Sequence, residues 1–196
     1  MKQLFYFIAL VLLISCNNPE SQTNASPISE VSTDSIVETK KMKKFPEDFL
    51  GIYKGDLIVT NSAGDQIVPM EFQMLATQNK DKYIYKIKYG VEKETRNYNL
   101  ERTSNPNLFL VDENNGIILE SAYANQTLYS IYEVQGNLLQ STEIFYDDRM
   151  EFMIGLARVR DTSLTGNEES AKVKNYPLSV MQRATLMKQQ DSTATN

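Results

Sequence analysis

The sequence predicts an all-β fold, an antiparallel up-and-down β-barrel, and three observations carry that prediction. Between Phe49 and Val159 short runs of apolar residues alternate with polar ones instead of recurring at helical spacing. The breaks between the runs carry turn chemistry: Ser62-Ala63-Gly64-Asp65, Gln78-Asn79-Lys80-Asp81, Ser104-Asn105-Pro106-Asn107, Asn115-Gly116, Gly136-Asn137 and Asp147-Asp148. Strands joined by such tight hairpins would leave long unpaired edges, and closure of the sheet removes them.

The elements follow in chain order. Met1-Lys2 is a short basic start, followed by an apolar stretch from Leu4 to Ile14 and then by Ser15 and Cys16, the only cysteine in the chain. The apolar stretch is shorter than the roughly 20 residues needed to span a bilayer as a helix, which is the layout of a secretory signal. Leu13-Ile14-Ser15-Cys16 resembles the lipobox of bacterial lipoproteins, with an aliphatic residue three before the cysteine and a small one directly before it. The resemblance implies a signal peptide over residues 1–15, cleavage after Ser15, and acylation of Cys16 by palmitate-like chains. The product is then held to the membrane by lipid without spanning it. Asn17 stands where an aspartate in that family favours inner-membrane retention, so the resemblance points to the outer membrane.

With the one thiol consumed by lipid, neither disulfide stapling nor thiol catalysis is available. Residues 16–44 form the lipidated N-terminus and a tether rich in Ser, Thr, Asn and Pro, without periodicity. The basic cluster at its end, Lys40-Lys41-Met42-Lys43-Lys44, is short. It reads as a solvated linker end, with contact to anionic headgroups as the alternative. A formal net charge of −5 with no extended basic run argues against nucleic acid as a partner.

Order is predicted to begin at Phe45-Pro46-Glu47-Asp48-Phe49, opening a barrel domain over residues 45–160. Its candidate strands are 50–60, 66–76, 82–89, 94–101, 107–113, 117–123, 127–135, 138–146 and 149–159. Alternation puts Tyr53, Leu57 and Val59 on the inner face of the first strand, Val68, Met70, Phe72 and Met74 on that of the second, and Tyr83, Tyr85, Ile87 and Tyr89 on that of the third. A two-residue turn at Gly136-Asn137 pairs Ser141 with Tyr132 and Glu143 with Ser130. A turn at Asp147-Asp148 sets Met150, Phe152, Ile154 and Leu156 on the same face.

Gly51-Ile52-Tyr53, opening the first strand of this meander, resembles the Gly-x-Trp start of the calycin superfamily of lipocalin-like barrels, with Tyr53 where the family has tryptophan. The resemblance implies a closed barrel holding a small apolar or amphipathic ligand, capped by a C-terminal helix. In the C-terminal segment, residues 161–196, Pro177 to Lys188 supplies a helix with an apolar stripe of Val180, Met181, Ala184 and Met187, followed by a disordered end.

Two charges interrupt the inner face. Arg96, flanked by Tyr98 and Leu100, and Glu143, beside Ser130, Ser141 and Tyr132, each need a partner inside a barrel. They either satisfy each other as a structural pair or one of them meets a ligand's polar head, with Tyr85, Tyr98, Tyr132 and Met70 packing its apolar part.

The chain has no histidine, which excludes Ser-His-Asp and Cys-His catalysis, histidine-ligated haem and ordinary zinc sites for this chain alone. Asp112-Glu113-Asn114-Asn115-Gly116 has its glycine one position too early for an EF-hand loop and reads as a turn. With Glu133 and Glu151 facing outward, Glu143 lacks an inward acidic partner for glycoside chemistry. No cofactor and no enzymatic activity are predicted. Two functions remain: a membrane-anchored barrel binding a small amphipathic or hydrophobic ligand, or an envelope interaction protein with a filled barrel. An apolar void of about 300 Å³ or more separates the first from the second.

Overall fold

The computed structural model describes residues 43–190, residue 93 excepted. The expected signal peptide, the expected lipidation site Cys16 and nearly all of the expected tether lie outside the described residues, as does the end beyond residue 190.

The predicted meander is present. Its strands are β1 (Gly51–Asn61), β2 (Gly64–Ala76), β3 (Lys82–Tyr89), β4 (Glu94–Arg102), β5 (Leu108–Asp112), β6 (Ile118–Ala124), β7 (Thr127–Val134), β8 (Asn137–Phe145) and β9 (Arg149–Arg158). Three more follow: β10 (Ser163–Thr165), β11 (Val173–Asn175) and β12 (Leu178–Lys188). Strands β1 to β9 and β12 form a closed antiparallel barrel of ten strands, while β10 and β11 pair only with each other as a hairpin between β9 and β12.

The predicted C-terminal helix is therefore replaced by a strand. Pro177 precedes β12, which lies between β1 and β9 and pairs Ala184 with Leu57 on one side and with Phe152 on the other. Without β12 both neighbours would be open edges, and pairing with them outweighs the helix preference of its Met, Leu, Arg and Gln residues. Its inner face is Val180, Gln182, Ala184 and Leu186, a period of two, of which Ala184 and Leu186 are buried. The barrel accordingly extends to Lys188 and not to residue 160. Closure is tight at Gly55, where an added Cβ would sit 2.5 Å from the Thr185 carbonyl oxygen of β12.

Turn chemistry differs from expectation in two hairpins. The β7–β8 turn is Gln135-Gly136, both at positive φ (50° and 74°), so Val134 pairs with Asn137 and Ser130 with Ser141. That register is two residues from the predicted one, and a slip of two keeps every side chain on its face. Asn115-Gly116 is not a two-residue turn. The loop from Glu113 to Ile117 is closed by a backbone hydrogen bond from Glu113 N–H to the Ile117 carbonyl (3.0 Å), and its positive φ angles fall at Asn114 and Gly116.

One end of the barrel is plugged. The segment before β1 folds back into it, burying Phe45, Pro46 and Phe49. The Phe45 ring stacks on Tyr123 at 4.2 Å and meets Phe109 edge-on at 5.0 Å. Arg102 latches the plug from outside by donating to the Phe45 carbonyl (2.7 Å) and to both oxygens of Glu47 (2.6 Å each). Burial raises the Glu47 pKa, but hydrogen bonds from Tyr83 and Arg102 outweigh it and hold the carboxyl below its ordinary range. The core continues upward through Tyr53, Phe72, Met74, Leu100, Phe145 and Phe152.

Candidate functional site

Above this packed layer the interior is not filled. A cavity of about 380 Å³ occupies the other half of the barrel, toward the hairpins that join β1 to β2, β3 to β4, β5 to β6 and β7 to β8. It exists because the inward residues change character along the strands. Below, successive rings interlock; above, the positions carry Val59, Val68, Val111, Leu119, Ser130 and Ser141, side chains too short to meet across the lumen.

Of the six residues that the sequence assigned to a ligand site, the structure brings five to this cavity: Tyr85, Arg96, Tyr98, Tyr132 and Glu143. Met70 is not among them. It points inward but lies one inward step deeper along β2 than Val68, opposite Gly55, and is only 3% exposed within the core. Cys16 lies outside the described residues.

Glu143, 4% exposed, is the acidic group at the inner end. The Tyr85 hydroxyl donates to its Oε1 at 2.8 Å, the hydrogen bond that Glu143 makes among the described residues. Burial pushes the Glu143 carboxyl up to about 7, opposed by that hydrogen bond. Burial, followed by the neighbouring Glu143 charge, likewise raises the Tyr85 phenol well above its ordinary value. Ser130, which also lines the cavity and pairs with Ser141 across the strands, shares a 2.6 Å hydrogen bond with Ser121.

Among the described residues the Arg96–Glu143 ion pair, one of the two alternatives the sequence left open, is not formed. Arg96 comes from the first residues of β4, at the rim, where its side chain remains 52% exposed and pairs with Glu94 at 2.5 Å. Both side chains line the cavity, but Arg96 lies one inward step nearer the rim than Tyr98, the cross-strand neighbour of the Tyr85 that holds Glu143. Neutrality at the inner end is therefore favoured by protonation, not by a salt bridge.

Four tyrosines line the cavity: Tyr85, Tyr89, Tyr98 and Tyr132. Tyr85 and Tyr98 are near-parallel, 6.2 Å between centroids and 22° between planes, and Phe72 supports Tyr85 edge-on from below at 4.9 Å. Burial raises the phenols of Tyr89, Tyr98 and Tyr132, so all four remain neutral hydrogen-bonding groups around neutral pH.

Sequence reasoning missed Glu113 and Gln182, both of which line the cavity. Glu113 extends the inward alternation of Phe109 and Val111 one step past β5, so Glu143 does have an acidic companion in the lumen, contrary to expectation. That alternation was the signal, masked by the turn-like Glu-Asn-Asn-Gly sequence. Gln182 was assigned to a helix.

Among the described residues no group of three or more His, Cys, Asp or Glu could hold a metal, and no helix is long and apolar enough to cross a membrane.

Fold and cavity together define a ten-stranded closed β-barrel, plugged at one end, with a carboxyl-floored, tyrosine-lined chamber at the other. No family model and no curated protein matches the chain. Among solved structures it is similar to a protein of unknown function of the DUF3598 family from Nostoc punctiforme, at a TM-score of 0.52 and 10% sequence identity. The match covers 72% of this chain but 48% of that one, so the chain spans about half the length of that structure. The similarity shows a shared barrel fold.

Proposed function

We propose that the chain is a membrane-anchored lipoprotein whose lipocalin-like barrel binds a small amphipathic ligand without transforming it. The observation that carries the binding reading is the cavity: about 380 Å³, in which Leu57, Val59, Val68, Ile87, Leu119 and Ile154 share the wall with four tyrosines and a few charged groups. That volume lies within the range of small-molecule sites, and convergent polar groups in an apolar chamber fix orientation. At about 30 Å³ for a water's share of liquid volume, the space suits a ligand of about a dozen non-hydrogen atoms. The anchoring half rests on Leu13-Ile14-Ser15-Cys16 and the lone thiol, with the outer membrane as the location.

Two experiments test the reading. Phenethyl alcohol, an uncharged probe that fits the chamber, is titrated calorimetrically into the purified protein and into Ile154→Trp, which inserts an indole into the space. Saturable binding lost in the variant supports the site, whereas no heat, or equal heat in both, refutes it. For the anchor, cells are fed an alkyne fatty acid. Label on the wild type and none on Cys16→Ser is expected; label persisting on the variant refutes lipidation at Cys16.

The packed lower half of the barrel, with Phe45, Phe49 and Phe72 in its core, is what favours the second reading, an envelope interaction protein. That reading predicts no probe binding at all.

A further inference from the structure

The chemistry of the lining goes further than the shape. We propose that the chamber selects an organic ammonium ion, a positively charged nitrogen on a compact apolar body, with Glu143 as its counter-ion and the tyrosine rings as its walls. The inference rests on the ligand-binding reading above.

Three observations point to it. Glu143 lines the cavity, 4% exposed, and the Tyr85 hydroxyl engages one of its carboxyl oxygens. A carboxylate has about four acceptor sites, so capacity remains for a donor arriving through the cavity. The four tyrosines surround the same space, and the face of an aromatic ring attracts a cation, most strongly where water is excluded. The charge of the lining is acidic among the described residues: Glu113 adds a second carboxyl side chain, and Arg96, the one basic residue of that lining, is already paired with Glu94 at the rim. An anionic head would gain no counter-charge from Glu143, whereas an ammonium ion finds one in its carboxylate.

Binding should move a proton. In the empty chamber burial holds the Glu143 carboxyl up to about 7. An ammonium ion beside it favours the carboxylate, so below that pH the Glu143 proton leaves to solvent while the ligand nitrogen keeps its own. The other titratable groups facing the space are Tyr85 and Tyr89 on β3, Arg96 and Tyr98 on β4, Glu113 beyond β5 and Tyr132 on β7. The four phenols are all raised and do not exchange protons in this range.

The test compares three probes of one shape, phenethylammonium, phenethyl alcohol and phenylacetate, by calorimetry on the full chain. The ammonium should bind at least about tenfold more tightly than the alcohol, with phenylacetate weakest. At about pH 6, heats measured in buffers of different ionisation enthalpy should show release of about one proton per ammonium bound. Glu143→Gln should abolish both the preference and the proton release. If the alcohol or phenylacetate binds as tightly as the ammonium, or no proton is released, the ammonium inference is overturned and the binding reading stands. If none of the three binds, both fall. Should Glu143→Gln fail to fold, the wild-type ranking and proton count decide alone.

Discussion

Replacing Glu143 by Gln should flatten the protein's stability between the unfolded and folded pKa values of that carboxyl. Glu143 titrates near 4.5 in the unfolded chain and is pushed up to about 7 by burial in the fold. Between those values the folded state holds a proton that the unfolded state has lost, so stability falls as pH rises through the window and levels off above it. At 1.36 kcal/mol for each pH unit, the whole interval corresponds to about 3 kcal/mol. Between about pH 5 and about pH 8 roughly 2 to 3 kcal/mol of it should be observed. The group is almost wholly enclosed, so solvent screening reduces this little. Gln retains an oxygen for the Tyr85 hydroxyl but has no proton to lose. Urea denaturation followed by circular dichroism across this range, on the wild type and on Glu143→Gln, reads the difference directly. The wild type should lose stability relative to the variant as pH rises. Glu71, held down to about 2 by hydrogen bonds from Lys88, Gln73 and Lys54 against the raising effect of burial, acts below pH 4.5 and with opposite sign. It is unchanged in the variant and cancels. Parallel curves for the two proteins would mean that Glu143 ionises in the fold as freely as in water, and the enclosed inner end described above would be wrong.

Other expectations follow from the plug and the seam. Gly55→Ala places a Cβ 2.5 Å from the Thr185 carbonyl; it should cost about 1–3 kcal/mol, seen as a lower thermal midpoint. Phe49→Ala empties a position that is 0% exposed and should cost about 3–5 kcal/mol. Because Phe49 lies in the filled half, phenethyl alcohol affinity at a temperature where the variant is folded should stay within about twofold of wild type, checked by calorimetry. Arg102→Met removes the latch on Phe45 and Glu47; amide exchange should accelerate over residues 43–50 and stay unchanged in β7 and β8.

Much of this architecture was legible because strand alternation is a local signal. Tyr53, Phe72, Tyr85 and Phe152 were placed inward from their neighbours alone, and they are inward. The register of β7 and β8 was off by two residues at Gln135-Gly136, an error that an even slip conceals. What was not legible depends on residues far apart in the chain. Residues 178–188 satisfy a helical period through Val180, Met181, Ala184 and Met187 and a strand period through Val180, Gln182, Ala184 and Leu186. Only the open sides of β1 and β9 decide between them. The same holds for the site. Period two put Arg96 and Glu143 on one face but could not give their depths, so a structural pair and a ligand contact both stayed open where the structure has a rim charge and a buried acid. Phe45 was read as the start of order, whereas its place inside the barrel, between Phe109 and Tyr123, needed the tertiary fold.

The central claim is that the upper half of this barrel is a ligand chamber and not an incidental gap. Native mass spectrometry of the protein purified from its own cells tests it most directly, with Ile154→Trp prepared in parallel. The account predicts a wild-type species carrying one small molecule of about a dozen non-hydrogen atoms, absent from Ile154→Trp and recovered at an unchanged mass in repeat preparations. Bare protein in every preparation, or the same adduct on both proteins, would contradict it.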